Sequence, residues 1–317
     1  MDELRTIEVF KVDAFTDDAY GGNPAGVVPH ADGLTEAQMQ KVAREMNLSE
    51  TAFVMAPTEA GRAVGADVRV RFFTPKTEVD LCGHATIGTF FLLASEGRLE
   101  GLGRRLAGDR IQTIHQETKA GVLPVHIHWA AGPRVDRVMM VQAPPRILET
   151  YLPDQVSRVE AILGLAGALD RSWPAQVLTT GLPFLVVPVV SREKLFGLRP
   201  DMSAVAEFCQ RAGLIGIHAF ARETISSAAT AHARMFAPAV GIPEESATGT
   251  AGGCLGAYLV LNGYVAPGTP MLLEQGHILG RPSSIHVEVA PAGAYFEVHV
   301  GGRAVTTLRG QMLIPSP

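Results

Sequence analysis

The sequence has few cysteines, no long apolar run and no cluster of one charge sign, and each shortage removes a class of protein. The three cysteines, Cys82, Cys209 and Cys254, are an odd set without CxxC spacing. That excludes a disulfide framework and a zinc finger and leads us to expect a reducing, cytoplasmic setting. No stretch reaches the roughly 18 apolar residues of a transmembrane helix. The opening Met1-Asp2-Glu3-Leu4-Arg5 has early acids and no apolar core, so a signal peptide is not expected. Lys plus Arg number 27 against 32 Asp plus Glu, a net charge of −5, and the isoelectric point is near 6.1. The longest basic run is the pair Arg104-Arg105. A nucleic-acid groove needs clustered cations against phosphate, so neither nucleic acid nor a membrane is an expected partner.

What is present is an ordinary globular composition, 317 residues with 47% hydrophobic and 19% charged, long enough for about two domains. The most informative feature is an internal repeat. Arg71-Phe72-Phe73-Thr74-Pro75 precedes an acidic segment and then Cys82-Gly83-His84-Ala85. Arg234-Met235-Phe236-Ala237-Pro238 precedes another acidic segment and then Thr248-Gly249-Thr250-Ala251. The first parts are offset by 163 residues (234 − 71) and the glycines by 166 (249 − 83), which requires a three-residue insertion near Gly241-Ile242-Pro243. Leu93 and Leu259, and Gly97 and Gly263, continue the match, and Ala52-Phe53 matches Ala219-Phe220 at an offset of 167 (219 − 52). Two homologous lobes follow, 1–130 and 131–317, with the Pro-bearing stretch from Gly132 to Pro145 near the seam.

Within the lobes, β-branched and aromatic runs such as Val9–Phe15, Thr51–Met55, Val68–Phe73, Phe184–Val190 and Ile285–Val289 predict strands. Thr35-Glu36-Ala37-Gln38 predicts a capping box opening a helix with the stripe Met39, Val42 and Met46. A second helix starts at Gly83-His84 and ends near Gly97, and its repeat partner runs from Gly249-Thr250 to Asn262-Gly263. The expected fold is therefore α/β (α+β), two pseudo-symmetric lobes, each a bent, mostly antiparallel sheet wrapped around one apolar central helix. A helix N-terminus offers unpaired N–H groups and about half a positive charge, so two of them facing an interlobe cleft would suit a carboxylate.

Several motifs have a plain alternative. Gly249-Thr250-Ala251-Gly252-Gly253-Cys254-Leu255-Gly256 lacks the spacing of a phosphate loop, and its glycines fit close helix–strand packing. Cys82-Gly83-His84 carries no further His or Cys at metal-ligand spacing, so no metal site is expected, and His84 by itself fits a packing role equally. Glu50 fits a solvent-facing turn; with Ile217 opposite it in the repeat, it also fits a desolvated carboxylate able to exchange protons near neutral pH. Glu244 and Glu245 suit the start of a helix, or one of them orients His84 or a substrate amine. Asp13, Asp17 and Asp18 look like turn formers.

Taken together, these segments resemble the PhzF-like phenazine-biosynthesis isomerase family, which shares the diaminopimelate epimerase architecture. The carrying residues are Val12-Asp13-Ala14-Phe15-Thr16, Gly22-Asn23-Pro24-Ala25-Gly26-Val27, Asn47-Leu48-Ser49-Glu50-Thr51-Ala52-Phe53 and Asp80-Leu81-Cys82-Gly83-His84-Ala85-Thr86. Glu244-Glu245-Ser246-Ala247-Thr248-Gly249-Thr250-Ala251 and Glu274-Gln275-Gly276 with Gly280-Arg281-Pro282-Ser283 complete them. The resemblance implies a homodimeric enzyme without cofactor or metal, with Glu50 as general acid/base, His84 as the site histidine, Glu245 as its acidic partner and Thr250 as the hydroxyl residue. It also implies substrate contacts at Asn23, Ser49, Gly83 and Gly249. The family's usual residues are Asp and Ser where Glu245 and Thr250 stand, and Pro where Ser246 stands.

The expected chemistry is a proton shift on a small carboxylate-bearing substrate, resembling trans-2,3-dihydro-3-hydroxyanthranilate isomerase. Glu50 would take a C–H proton and return it to another carbon, while His84 and Glu245 steady or relay charge. An amino-acid epimerase or racemase, or a hydroxy-acid dehydratase, would use the same fold; Thr248 in place of a second Cys counts against the two-thiol epimerase. A non-catalytic small-ligand-binding protein is the alternative from a different class.

Overall fold

The computed structural model describes residues 4–103 and 110–315; Met1-Asp2-Glu3 and Arg104-Arg105 lie outside the described residues. In chain order the elements are β1 (Leu4–Ala14), β2 (Asn23–Val28), α1 (Glu36–Met46), β3 (Thr51–Met55), α2 (Glu59–Ala63), β4 (Val68–Phe73), β5 (Glu78–Val79), α3 (Gly83–Ser95), β6 (Ile111–Thr118), β7 (Gly121–Trp129) and β8 (Val135–Gln142). They continue with β9 (Arg146–Thr150), α4 (Pro153–Ile162), β10 (Gln176–Thr179), β11 (Pro183–Pro188), α5 (Arg192–Gly197), α6 (Met202–Ala212), β12 (Gly216–Ala221) and β13 (Ala231–Ala237). The last are β14 (Ile242–Glu245), α7 (Gly249–Leu261), β15 (Met271–Gln275), β16 (Ser283–Ala292), β17 (Tyr295–Gly302) and β18 (Ala304–Pro315).

The chain forms two units, Met1–Val141 with Gly301–Pro317, and Gln142–Val300. The expected division at 130/131 differs most at the C-terminus, where the last strand returns to the first unit. The reason is edge pairing: β18 runs antiparallel along β1 from Leu4↔Pro315 to Ala14↔Ala304 and closes an otherwise open row of backbone donors and acceptors.

The repeat is visible strand by strand. In the first unit β1 pairs antiparallel with β2, β2 parallel with β3, β3 antiparallel with β4, β4 parallel with β6 and β6 antiparallel with β7. In the second, β10–β11, β11–β12, β12–β13, β13–β15 and β15–β16 repeat that alternation of sense. A short strand turns back on each fourth strand, β5 on β4 and β14 on β13. The expected insertion is a 3₁₀ turn at Pro238–Val240 closed by Gly241 in the left-handed region, φ 85°.

Strand register corrects one pairing of the repeat. Thr51 faces Phe73 and Ile217 faces Phe236. Because Phe73 and Phe236 are equivalent, Ile217 corresponds to Thr51 at an offset of 166 (217 − 51), and Glu50 corresponds to Gly216. The Ala52-Phe53 and Ala219-Phe220 match is out of register by one residue, and such a slip points every side chain to the opposite face. Ile217 therefore says nothing about the surroundings of Glu50.

Each unit holds one apolar helix. In α3 the residues Ala85 to Phe90 and Leu92 to Ala94 are buried, packed against β1, β2, β3, β7 and β18. In α7 nearly every residue is buried, and the helix packs on β10, β11 and β16. A helix apolar on all faces belongs inside a core rather than on its rim. Gly256 sets the approach of α7 to β16, since a Cβ there would lie 2.4 Å from Val287 Cγ1.

Helix α1 carries the expected capping box, with Gln38 N–H donating to Thr35 Oγ1 at 3.2 Å and Thr35 N–H to Gln38 Oε1 at 2.9 Å. Met39 and Val42 sit in an apolar cluster with Ile7, Phe53 and Phe73, against which Met46 packs. Helices α4, α5 and α6 have no counterpart in the sequence reading. They bury Val159, Leu195, Val205 and Cys209 against Leu185, Ile217 and Phe236 of the second unit. Among the described residues, no helix is long and apolar enough to cross a membrane.

Candidate active site

The first unit brings Glu50 and His84 together from separate elements. Helix α1 ends at Asn47 in the left-handed region, φ 49°, and β3 begins at Thr51, so Glu50 is the last residue of the turn between them. Its carbonyl accepts from the Gly26 N–H at 2.9 Å. Gly26 can come that close only without a side chain, because a Cβ would lie 2.6 Å from Thr51 Oγ1. The backbone of β2 thus pins the residue that carries the carboxylate.

His84 comes from the first turn of α3. Cys82 is the N-cap and provides no side-chain cap. Its carbonyl instead accepts from Thr86 twice, from Oγ1 at 2.8 Å and from the N–H at 3.0 Å. His84 Nε2 lies 3.4 Å from Glu50 Oε2, with the two side chains 11% and 17% exposed. On its other edge, His84 Nδ1 lies 3.4 Å from Cys82 Sγ. The imidazole therefore stands between a thiol and a carboxylate, and one donor atom from each of the three lies within 4.8 Å of the others. No further His or Cys joins the pair among the described residues; the third group is a carboxylate from a different element, which sequence spacing does not reveal. Among the described residues Glu50 Oε2 and His84 Nε2 are buried atoms without a hydrogen bond, the contact between them being too poorly aligned for one.

The other residues of this unit divide by burial. Asn23 opens β2 opposite Ala14 and is buried, whereas Ser49 is exposed. Gly83 has open space where a Cβ would be. Asp13 is not a simple turn former: it lies fully buried on β1, and its carboxylate accepts from the Tyr20 N–H at 2.9 Å, tying down the loop before Asn23. Asp17 pairs with Arg303 at 2.8 Å.

The second unit carries Glu245, Gly249 and Thr250. Arg234 grips Glu244 through Nε–Oε1 and Nη2–Oε2, both 2.8 Å, and the equivalent Arg71 grips Glu78 at 2.7 and 2.8 Å. Glu244 is thus held in a structural ion pair. The turn between Glu245 and α7 is held from several sides. Gln275 Nε2 donates to the Glu245 carbonyl at 2.8 Å and to Thr248 Oγ1 at 3.3 Å; Ser283 Oγ donates to the Ser246 carbonyl at 2.9 Å. Gln142 Nε2 donates to the Gly249 carbonyl at 3.1 Å. Thr248 is the N-cap of α7 without a side-chain cap, as Cys82 is for α3, and Thr250 follows in the first helical turn.

His218, fully enclosed on β12, donates from Nδ1 to the Ala251 carbonyl at 3.0 Å. Burial drives its pKa down to about 4, against the raising influence of Ala251 and Gln275. The imidazole is therefore neutral, with Nδ1 carrying the proton, and serves to brace α7. Sequence reading passed over His218 altogether; the strand register, which puts it in the place of Ala52, is the only signal that marks it. Glu274 is also structural. Burial opposes its charge, yet the N–H groups of Ile225 and Ser226 and the ring of His232 hold its carboxyl below the usual range.

Comparison with known proteins gives a consistent picture. The family described as phenazine biosynthesis-like protein matches residues 12–310. A Deinococcus radiodurans protein named uncharacterized isomerase is 38% identical over 308 residues, covering 95% of this chain and 92% of its own. The trans-2,3-dihydro-3-hydroxyanthranilate isomerase of Pseudomonas fluorescens is 31% identical over 96% of this chain and 98% of its own. The crystal structure of a phenazine biosynthesis protein of the PhzF family from Bacillus anthracis superposes with a TM-score of 0.85 at 31% identity, covering 98% of this chain and 100% of its own.

Proposed function

Because the chain belongs to the phenazine biosynthesis-like, PhzF family and is an isomerase, we propose that it moves a proton between two carbons of a small carboxylate-bearing substrate, with Glu50 as the carrier. The observation that supports this most is the approach of His84 to Glu50: a largely buried carboxylate oxygen and an imidazole nitrogen face each other at 3.4 Å without a hydrogen bond. Such a carboxylate can accept a C–H proton, and the neighbouring imidazole can steady the change of charge. The proton leaves one carbon as its bond electrons move into the adjoining π system, and Glu50 returns it to the far end, so substrate and product have one formula. Metal and organic cofactor are not needed for that step.

Glu245 and Thr250 are proposed as further catalytic residues, and Asn23, Ser49, Gly83 and Gly249 as substrate contacts. The relative from Pseudomonas fluorescens makes trans-2,3-dihydro-3-hydroxyanthranilate the first substrate to try. A two-thiol epimerase finds less support, since Thr248 occupies the N-cap where Cys82 stands in the repeat. A homodimer is proposed with the reaction, and light scattering on the purified chain tests it.

The deciding experiment is incubation in D₂O with trans-2,3-dihydro-3-hydroxyanthranilate and a panel of amino and hydroxy acids, with mass spectrometry for deuterium at carbon. Uptake lost in Glu50→Gln supports the reading and identifies the substrate class. Equal uptake in both proteins removes Glu50 from the mechanism. Silence across the panel favours a ligand-binding role.

A further inference from the structure

We propose that Glu50, Cys82 and His84 form an inhibitory binding site for a thiophilic divalent cation of the Zn²⁺ class. The three side chains supply one oxygen, one sulfur and one nitrogen, with donor atoms within 4.8 Å of one another. Around a tetrahedral Zn²⁺, bond lengths of ~2.0–2.3 Å place neighbouring ligand atoms about 3.3–3.6 Å apart. The imidazole is close to both partners but through opposite nitrogens, 3.4 Å from Nδ1 to Cys82 Sγ and 3.4 Å from Nε2 to Glu50 Oε2. A cation takes one of the two nitrogens, so the imidazole turns and the remaining donor draws in from its place within 4.8 Å.

The donor set also selects the ion. Thiolate with imidazole and one carboxylate suits Zn²⁺ and Co²⁺, whereas Mg²⁺ and Ca²⁺ prefer oxygen throughout. Binding forms the sulfur–metal bond as the Cys82 thiol releases its proton to solvent, and no electron changes hands. Three protein ligands leave a fourth position for water, the arrangement of an open rather than a purely structural site. The site is also unusual within the chain, because the other two cysteines are poor competitors. Burial pushes the thiols of Cys209 and Cys254 up to about 11, which keeps them protonated. A cation on Glu50 occupies the lone pair that takes the substrate proton, so binding and turnover exclude each other. That last consequence rests on the proposed isomerase reading, while the binding itself does not.

Co²⁺ reports on the site directly, through the near-ultraviolet sulfur-to-cobalt charge-transfer band of a thiolate complex. The intact protein is expected to develop this band on titration. Cys82→Ser is expected to lose it, Glu50→Gln to require more Co²⁺ to reach it, and Cys254→Ser to keep it, with circular dichroism showing each variant folded. Absence of the band at saturating Co²⁺, or a band unchanged in Cys82→Ser, overturns the proposal. Where a substrate has been found, Zn²⁺ should abolish its deuterium uptake and EDTA restore it. A cobalt band in a protein silent towards every acid of the panel would retain the cation site and discard the proposed Glu50 proton shift on such acids. Turnover without a band would do the reverse.

Discussion

Arg234 holds Glu244 in a two-pronged ion pair, both contacts 2.8 Å, with the two side chains 6% and 11% exposed. Its neighbour Glu245 has its carbonyl tied to Gln275. The ion pair of Glu244 is structural, and substitution should expose it. Glu244→Gln leaves a guanidinium buried without its counter-charge and is expected to cost on the order of 3–5 kcal/mol. Glu245→Gln, at the proposed catalytic acid, should lower turnover. Thermal denaturation reads the first variant and the deuterium assay the second, and an unchanged Tm in Glu244→Gln contradicts the structural role of its ion pair.

Glu50→Gln keeps the volume of the side chain and its backbone bond to Gly26 but removes the basic oxygen. Turnover should fall by about 10²–10⁴-fold, the usual share of general acid–base catalysis, with Tm preserved. A drop in kcat smaller than tenfold would place the proton on another group.

Acid should weaken the fold through His218. The unfolded chain takes up a proton at this residue near pH 6.5, and the folded chain only near pH 4, because burial penalises the cation. The contribution is whole above pH 6.5 and is lost as pH falls towards 4, amounting to on the order of 3 kcal/mol. His232 acts in the same direction: burial pushes it down to about 4, although Glu274 pulls it back. His218→Asn, which does not titrate, should flatten the fall of Tm between these pH values. An unchanged slope would assign the acid sensitivity elsewhere.

Gly256→Ala sets two effects against each other. Alanine is the better helix former by about 1 kcal/mol, yet its Cβ would stand 2.4 Å from Val287 Cγ1. Overpacking of a tight core costs about 1–3 kcal/mol, so the clash should win and the variant should melt lower. Adding Val287→Ala removes the obstructing methyl and should recover most of the loss.

Much of the architecture was legible because the repeat leaves physical marks in sequence. The glycine at the start of each central helix, the Phe before each bend and the three-residue insertion all reappear in strand order and sense. The capping box at Thr35 was legible for the same local reason, a side chain and a backbone group three residues apart. The one-residue misalignment of Glu50 arose where a chance Ala-Phe match competed with strand register, which only hydrogen-bonded partners determine. The thiol beside His84 was legible from spacing, and the carboxylate beside both only through the family resemblance, since α3 and the turn before β3 meet only in three dimensions. Helix α6 was missed although its ends are marked, by Asp201 capping Ser203 and Ala204 and by Gly213 in the left-handed region, φ 65°.

The pairing of β18 with β1 has a consequence for biosynthesis. A ribosome delivers Leu4–Ala14 long before their partners, Ala304–Pro315. The nascent first unit therefore emerges with one edge of its sheet bare, and contacts of such long sequence separation form slowly. The second unit, Gln142–Val300, has its strands translated in one continuous stretch. Vectorial synthesis should thus let the later half mature before the earlier one, with the half that carries Glu50 and His84 sealed only once Ala304–Pro315 has been made.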